Sequence, residues 1–150
     1  MISKVSTRLR AIAGVTSFLC VSIYISACSI PSLESPQCAA ASDGVKQFYS
    51  FHFGNDMNPS PANLKARERF LTPELYRQLS AQSDSGVDYF TASDTPPKTF
   101  KIAQCTAEGD DKADIHVQIY WREDPKVTQK EVHVEAVKSG ESWLVNKVSN

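Results

Sequence analysis

Hydrophobic positions follow two different periods along this chain. In the first half they recur every three or four residues. Val45, Phe48, Tyr49 and His52 fall on one stripe, the spacing of a single helix face. Asp43 is a candidate N-cap for this helix, and Asn55 with Asp56 end it. Ser60-Pro61 marks a second helix start, with serine as the cap and proline in the first turn. Leu64, Ala66, Phe70 and Leu71 follow it. Thr72-Pro73 repeats the device, with Leu71 and Tyr76 spaced as a hydrophobic staple and Leu75 and Leu79 as the apolar face. Gly86 closes the helical half.

From Phe100 the period becomes two. Phe100-Lys101-Ile102 opens a strand reaching Thr106, and Gly109-Asp110-Asp111 makes a turn. Ile115, Val117, Ile119 and Trp121 alternate with His116, Gln118, Tyr120 and Arg122, the mark of a half-buried strand. Residues 123–126 turn the chain, and Val132, Val134 and Ala136 alternate with Glu131, His133 and Glu135. Ser139-Gly140 turns it again before Trp143, Leu144, Val145 and Val148. Four short strands joined by tight turns predict an antiparallel meander. Helices first and strands after predict an α+β domain, with the helices on one face of the sheet. Phe100, Ile102, Val117, Ile119, Trp121, Val134 and Val145 are the expected face against them.

The first 37 residues obey neither period. Lys4, Arg8 and Arg10 form a basic head, a short apolar run follows to Ile25, and no acidic residue occurs before Glu34. The run is about fifteen residues, short for a bilayer-spanning helix, which needs about 20. Basic head, short apolar middle and small-residue exit describe a secretory signal peptide. Ile25-Ser26-Ala27-Cys28 resembles the bacterial lipobox. In such signals the cysteine thiol takes a diacylglyceryl group, and the peptidase cuts before it. The expectation is a signal peptide over 1–27, lipidation at Cys28, a flexible tether over 28–37 and one domain over 38–150. Two or three acyl chains anchor stably where one is marginal. Lipoproteins of this kind with aspartate after the cysteine stay in the inner membrane. Ser29 at that position favours the periplasmic face of the outer membrane.

Processing changes the charge. The chain has 16 basic and 17 acidic side chains; without Lys4, Arg8 and Arg10 the balance is 13 against 17, a net of −4. A mildly acidic body is not a nucleic-acid binder. Its expected partners are the membrane, through the lipid, and another envelope protein or the cell wall. Of the four cysteines, Cys20 lies in the signal and Cys28 carries lipid, leaving Cys38 and Cys105. An exported pair meets an oxidising compartment. A structural disulfide tying the N-terminal segment to the sheet is expected, rather than a redox or metal pair, since no CxxC is present.

The blocks DGVKQFYSFHF, RFLTPELYRQL and ESWLVNKV resemble small bacterial envelope lipoproteins of the YbjP-like kind, a domain-of-unknown-function family. The resemblance covers residues 38–150 and implies a fold similar to nuclear transport factor two: a cone of helices wrapped on a curved antiparallel sheet. It implies no catalytic residue and no cofactor.

Candidate chemistry is sparse. A two- or four-residue turn at 123–126 would set His116 opposite His133, with Asp114 and Glu135 as neighbours. Two imidazoles and a carboxylate at cross-strand distance suit a metal. A solvated polar face is the plainer account, and no metal is expected. His52, on the helical stripe, should point into the cone or toward its mouth. Tyr89 and Phe90, in the loop GVDYFTASDTPPK, either fold over the sheet or present an aromatic anchor to a partner. No Ser-His-Asp order, phosphate loop or HExxH occurs. Two functions follow: a non-enzymatic binding or structural module of the envelope, or a small-ligand-binding or enzymatic cone with a pocket near His52.

Overall fold

The computed structural model describes residues 34–82, 86–123 and 125–150. Cys28, the expected cleavage site before it and most of the expected tether lie outside them. Among the described residues no helix is long and apolar enough to cross a membrane.

Helix α1 (Pro36–Phe53) starts earlier than its sequence indicates, two residues inside the span assigned to the tether. Asp43 is not its cap. Ser35 is: its hydroxyl accepts from the Cys38 N–H at 3.1 Å, and Pro36 fills the first turn. Asp43 instead lies within the helix and accepts from Gln47 Nε2 at 2.9 Å. The same hydroxyl–proline device opens α2 (Pro61–Arg67) at Ser60 and α3 (Pro73–Ser80) at Thr72. Proline has no N–H to leave unpaired at a helix start, and the capping oxygen takes up one of the orphan donors. A 3₁₀ turn, Glu68–Phe70, joins α2 to the strand-like Leu71.

Four antiparallel strands follow, β1 (Thr99–Ala107), β2 (Lys112–Glu123), β3 (Lys126–Ser139) and β4 (Ser142–Ser149), in the order β1-β2-β3-β4. The α+β class, with helices against one face of the sheet, is as the sequence indicates. Ile115, Val117, Ile119, Val132, Val134 and Ala136 are fully buried on that face, and α1 lies against all four strands through Ala41, Val45, Phe48 and Tyr49. Phe100, Ile102 and Trp121 pack at its margin. The Thr72 N–H donates to the Val145 carbonyl at 2.9 Å, which pins the start of α3 to β4.

Two register shifts alter the alternation. Ile102 pairs with Val117 but Gln104 pairs with His116, so Ala103 is an extra residue in β1. In strict alternation Cys105, three residues after Ile102, would point away from the helices; the bulge returns it to the face of Ile102. A second shift in β4 pairs Val145 with Ala136 and Val148 with Val134, so both valines face the core. A bulge adds one residue on one strand and reverses the facing of everything beyond it.

Candidate functional site

Cys38, in the first turn of α1, and Cys105, past the β1 bulge, are joined by a disulfide with Cα atoms 5.7 Å apart. The bridge closes a separation of 67 residues. It fastens the start of the helix to an edge strand.

His52 is buried in the last turn of α1, 1% exposed, and stacks on Phe48 with ring centres 5.6 Å apart. Its Nδ1 accepts from Arg67 Nε at 2.7 Å, and its Nε2 lies 3.0 Å from Asp88 Oδ2. Because the guanidinium can only donate, Nδ1 supplies the lone pair and Nε2 carries the hydrogen given to Asp88. Arg67 is buried as well. Its Nη1 donates to the Asn63 carbonyl at 2.7 Å and its Nη2 to the Asp56 carbonyl at 2.8 Å. Burial lowers the Arg67 pKa, and the Asp88 and Asp56 charges oppose that. Asp88 Oδ2 also accepts from the Thr91 hydroxyl at 2.6 Å and the Thr91 N–H at 3.1 Å, so one carboxylate organises the loop after Gly86.

This network forms the floor of a groove of about 430 Å³ between α2, α3 and the 87–90 segment. Its lining includes Pro61, Leu64, Tyr76 and Leu79, with Asn58 and Asn63. Phe90 is buried against Phe48 at 4.8 Å and His52 at 5.3 Å. Tyr89 is half-buried, and its phenol oxygen accepts from the Val148 N–H at 3.1 Å. The loop therefore folds back on the core, and the pair does not form an exposed aromatic anchor. Tyr49 donates to the Phe90 carbonyl at 2.8 Å. Trp121 is held similarly, Nε1 donating to the Thr95 carbonyl at 2.8 Å.

His116 and His133 sit on the opposite face of the sheet, directly paired, with ring centres 4.0 Å apart. The turn is a two-residue one, since Glu123 pairs with Lys126. Asp114 contacts both rings, at 3.4 Å from His116 Nε2 and 3.1 Å from His133 Nδ1. The second carboxylate is Glu131, 3.1 Å from His116 Nδ1, whereas Glu135 turns to Lys112 at 2.6 Å and Asn146 at 2.6 Å.

The structure thus brings His52, Tyr89 and Phe90 to one groove and puts His116 and His133 on the far side of the sheet. The sequence does not single out Arg67, Asp88 or Glu131 as site residues. Arg67 does carry a signal: it lies three residues after Leu64 and four before Leu71, on the apolar stripe itself.

No family model and no curated protein matches the sequence. Solved structures do resemble it. A protein of unknown function from Bacteroides thetaiotaomicron VPI-5482 has 14% identity and a TM-score of 0.52, over 75% of this chain and 91% of that one. A chain of the type VI effector–immunity complex Tae3–Tai3 from Ralstonia pickettii has 15% identity and a TM-score of 0.52, over 74% and 94%. An Ntf2-like protein involved in plasmid conjugation has 12% identity and a TM-score of 0.49; 79% of this chain spans 40% of that one. What the first two share with this chain is the fold.

Proposed function

We propose that this chain is a bacterial envelope lipoprotein of the YbjP-like kind, acylated at Cys28 and held at the periplasmic face of the outer membrane. Its α+β domain is a non-enzymatic module that binds another envelope protein in the groove between α2 and α3. The lipid anchor rests on the basic head, the apolar run and Ile25-Ser26-Ala27-Cys28. The joined Cys38 and Cys105 fit an oxidising compartment.

One observation carries the binding reading. Both nitrogens of His52 are committed inside the protein, Nδ1 to Arg67 and Nε2 to Asp88. A general base needs a lone pair within reach of a substrate proton, and this imidazole presents none to the groove. The charged groups of the floor and the Asn63 amide N–H are likewise engaged, so recognition falls to the apolar walls, which suit a peptide segment. The alternative is a small-ligand or enzymatic pocket at His52. The groove favours it by lying within the usual range for ligand sites, about 300–1,000 Å³. That reading requires an incoming group to displace Arg67 or Asp88 from the ring.

Mass spectrometry of protein recovered from its own envelope tests the anchor. The expected N-terminal peptide begins at Cys28 with acyl chains attached; an intact Met1 terminus or an unmodified Cys28 overturns it. Photocrosslinking in intact cells tests the groove. A photoreactive residue replacing Leu79 is expected to capture one defined envelope protein. One replacing Lys101, exposed on β1, is not. No product at position 79, or equal products at both, overturns the docking site.

A further inference from the structure

The far face of the sheet carries a cluster that the groove does not use. We propose that Asp114, His116 and His133, with Glu131, form a binding site for one divalent transition-metal ion of the zinc type. The donor atoms of Asp114, His116 and His133 lie within 4.8 Å of one another.

Their placement is rigid. His116 and His133 are directly opposed on the two central strands, and Asp114 and Glu131 are their diagonal neighbours. The alternate residues of the same strands, Ile115, Val117, Val132 and Val134, are fully buried. A slip of register would expose all four, so the core holds the polar cluster in place.

The separations match a coordination shell. Zinc binds imidazole nitrogen and carboxylate oxygen at about 2.0–2.1 Å, so the edges of its tetrahedron are about 3.3–3.4 Å. Asp114 Oδ2 lies 3.4 Å from His116 Nε2 and 3.1 Å from His133 Nδ1. Glu131 Oε1 lies 3.1 Å from His116 Nδ1 and 3.9 Å from His133 Nε2. Each ring therefore faces one carboxylate with each nitrogen. His116 can ligate through Nε2 and donate through Nδ1 to Glu131, the usual support of a metal-bound histidine, while His133 ligates through Nδ1.

The charge fits a dication. The Asp114 and Glu131 carboxylates lie against the two imidazoles. Glu135, the remaining carboxylate nearby, is occupied by Lys112. Two imidazoles and the Asp114 carboxylate, with Glu131 behind the rings, are a borderline donor set that suits zinc, cobalt, nickel or copper better than calcium or magnesium. The side chains are 21–40% exposed, which leaves a path for the ion.

Titration of the full-length, detergent-solubilised protein without a histidine tag tests the site. Zinc is expected to bind one to one and raise the melting temperature, and cobalt to give the visible absorption of a tetrahedral complex. His116→Gln and His133→Gln should each weaken zinc binding about tenfold or more; the double variant should abolish the cobalt band. Both histidines lie on the solvated face, so melting without metal should change little and serves as the folding control. Wild-type protein that binds no zinc at about 1 mM overturns the proposal without any variant. Unchanged affinity in a folded double variant does the same.

Discussion

Single residues in the interior are held by hydrogen bonds as much as by packing. Among the described residues no buried side-chain nitrogen or oxygen lacks a partner. Tyr49 shows what one such bond does. Its ring is fully buried beside Phe48, and its hydroxyl donates to the Phe90 carbonyl, so it ties α1 to the loop over the groove. Tyr49→Phe keeps the ring and strands that carbonyl. A buried acceptor left unpaired costs about 1–3 kcal/mol, and the urea midpoint at pH 7 should fall accordingly. The pH dependence should change too. Burial, and then the charges of Asp88 and Tyr89, push the Tyr49 pKa well above its ordinary value. Unfolded tyrosine ionises near pH 10, where the folded chain still holds the proton. Above that pH the unfolded state binds fewer protons, so stability falls as pH rises. The contribution is complete below pH 10 and lost on the way to the folded pKa. Tyr49→Phe should therefore flatten the decline of the midpoint between about pH 9 and pH 11; parallel declines in the two proteins would refute this.

At the scale of elements, the approach of α1 to β4 depends on one missing side chain. A Cβ on Gly44 would lie 2.9 Å from both Cβ and the carbonyl oxygen of Trp143. Backbone cannot swing aside as a flexible side chain can, so Gly44→Ala must separate helix and strand. Overpacking of this kind costs about 1–3 kcal/mol, against a small gain in helix propensity. A lower melting temperature is expected, and a raised one would show that the contact yields. Such contacts are invisible in sequence, whereas much of the surrounding frame is not. Ser60-Pro61 and Thr72-Pro73 announce their helices because cap and proline act locally. Alternation in β2 and β3 reveals the sheet, and the short turn at 123–126 fixes the facing of His116 and His133. The start of α1 is hidden in the sequence because Ser35-Pro36 follows another proline-bearing stretch and has the composition of a linker. The bulge at Ala103 leaves no trace, since an extra residue in a strand has no compositional mark. Asp88 and Arg67 reach His52 from 36 and 15 residues away, and only the packed structure shows that a loop carboxylate and a helix-end guanidinium converge there.

For the molecule as a whole, the disulfide decides how firmly an edge is held. β1 pairs on one side only, with β2, and most of its side chains are exposed. The Cys38–Cys105 bridge adds a covalent hold to its packing against α1. Closing a loop of 67 residues removes unfolded-state entropy worth about 4 kcal/mol in the chain-entropy model, and native bridges in small exported domains are worth about 2–5. Against a total of about 5–15 kcal/mol for a domain, that is a large share. The double variant Cys38→Ala/Cys105→Ala, or wild-type protein under reductant, should lose about 2–4 kcal/mol by urea unfolding. The loss should also have a location. Amide exchange should quicken in β1 and the first turn of α1 well before β2 and β3, whose shared core does not involve the bridge. Uniform acceleration would mean that the bridge acts through the unfolded chain alone. An unchanged midpoint would mean that packing against α1 already holds the edge. Local loosening, by contrast, would link compartment to fold: in reducing surroundings the same chain would keep its central hairpin but present a frayed edge strand, and an open edge is a template for pairing with other chains.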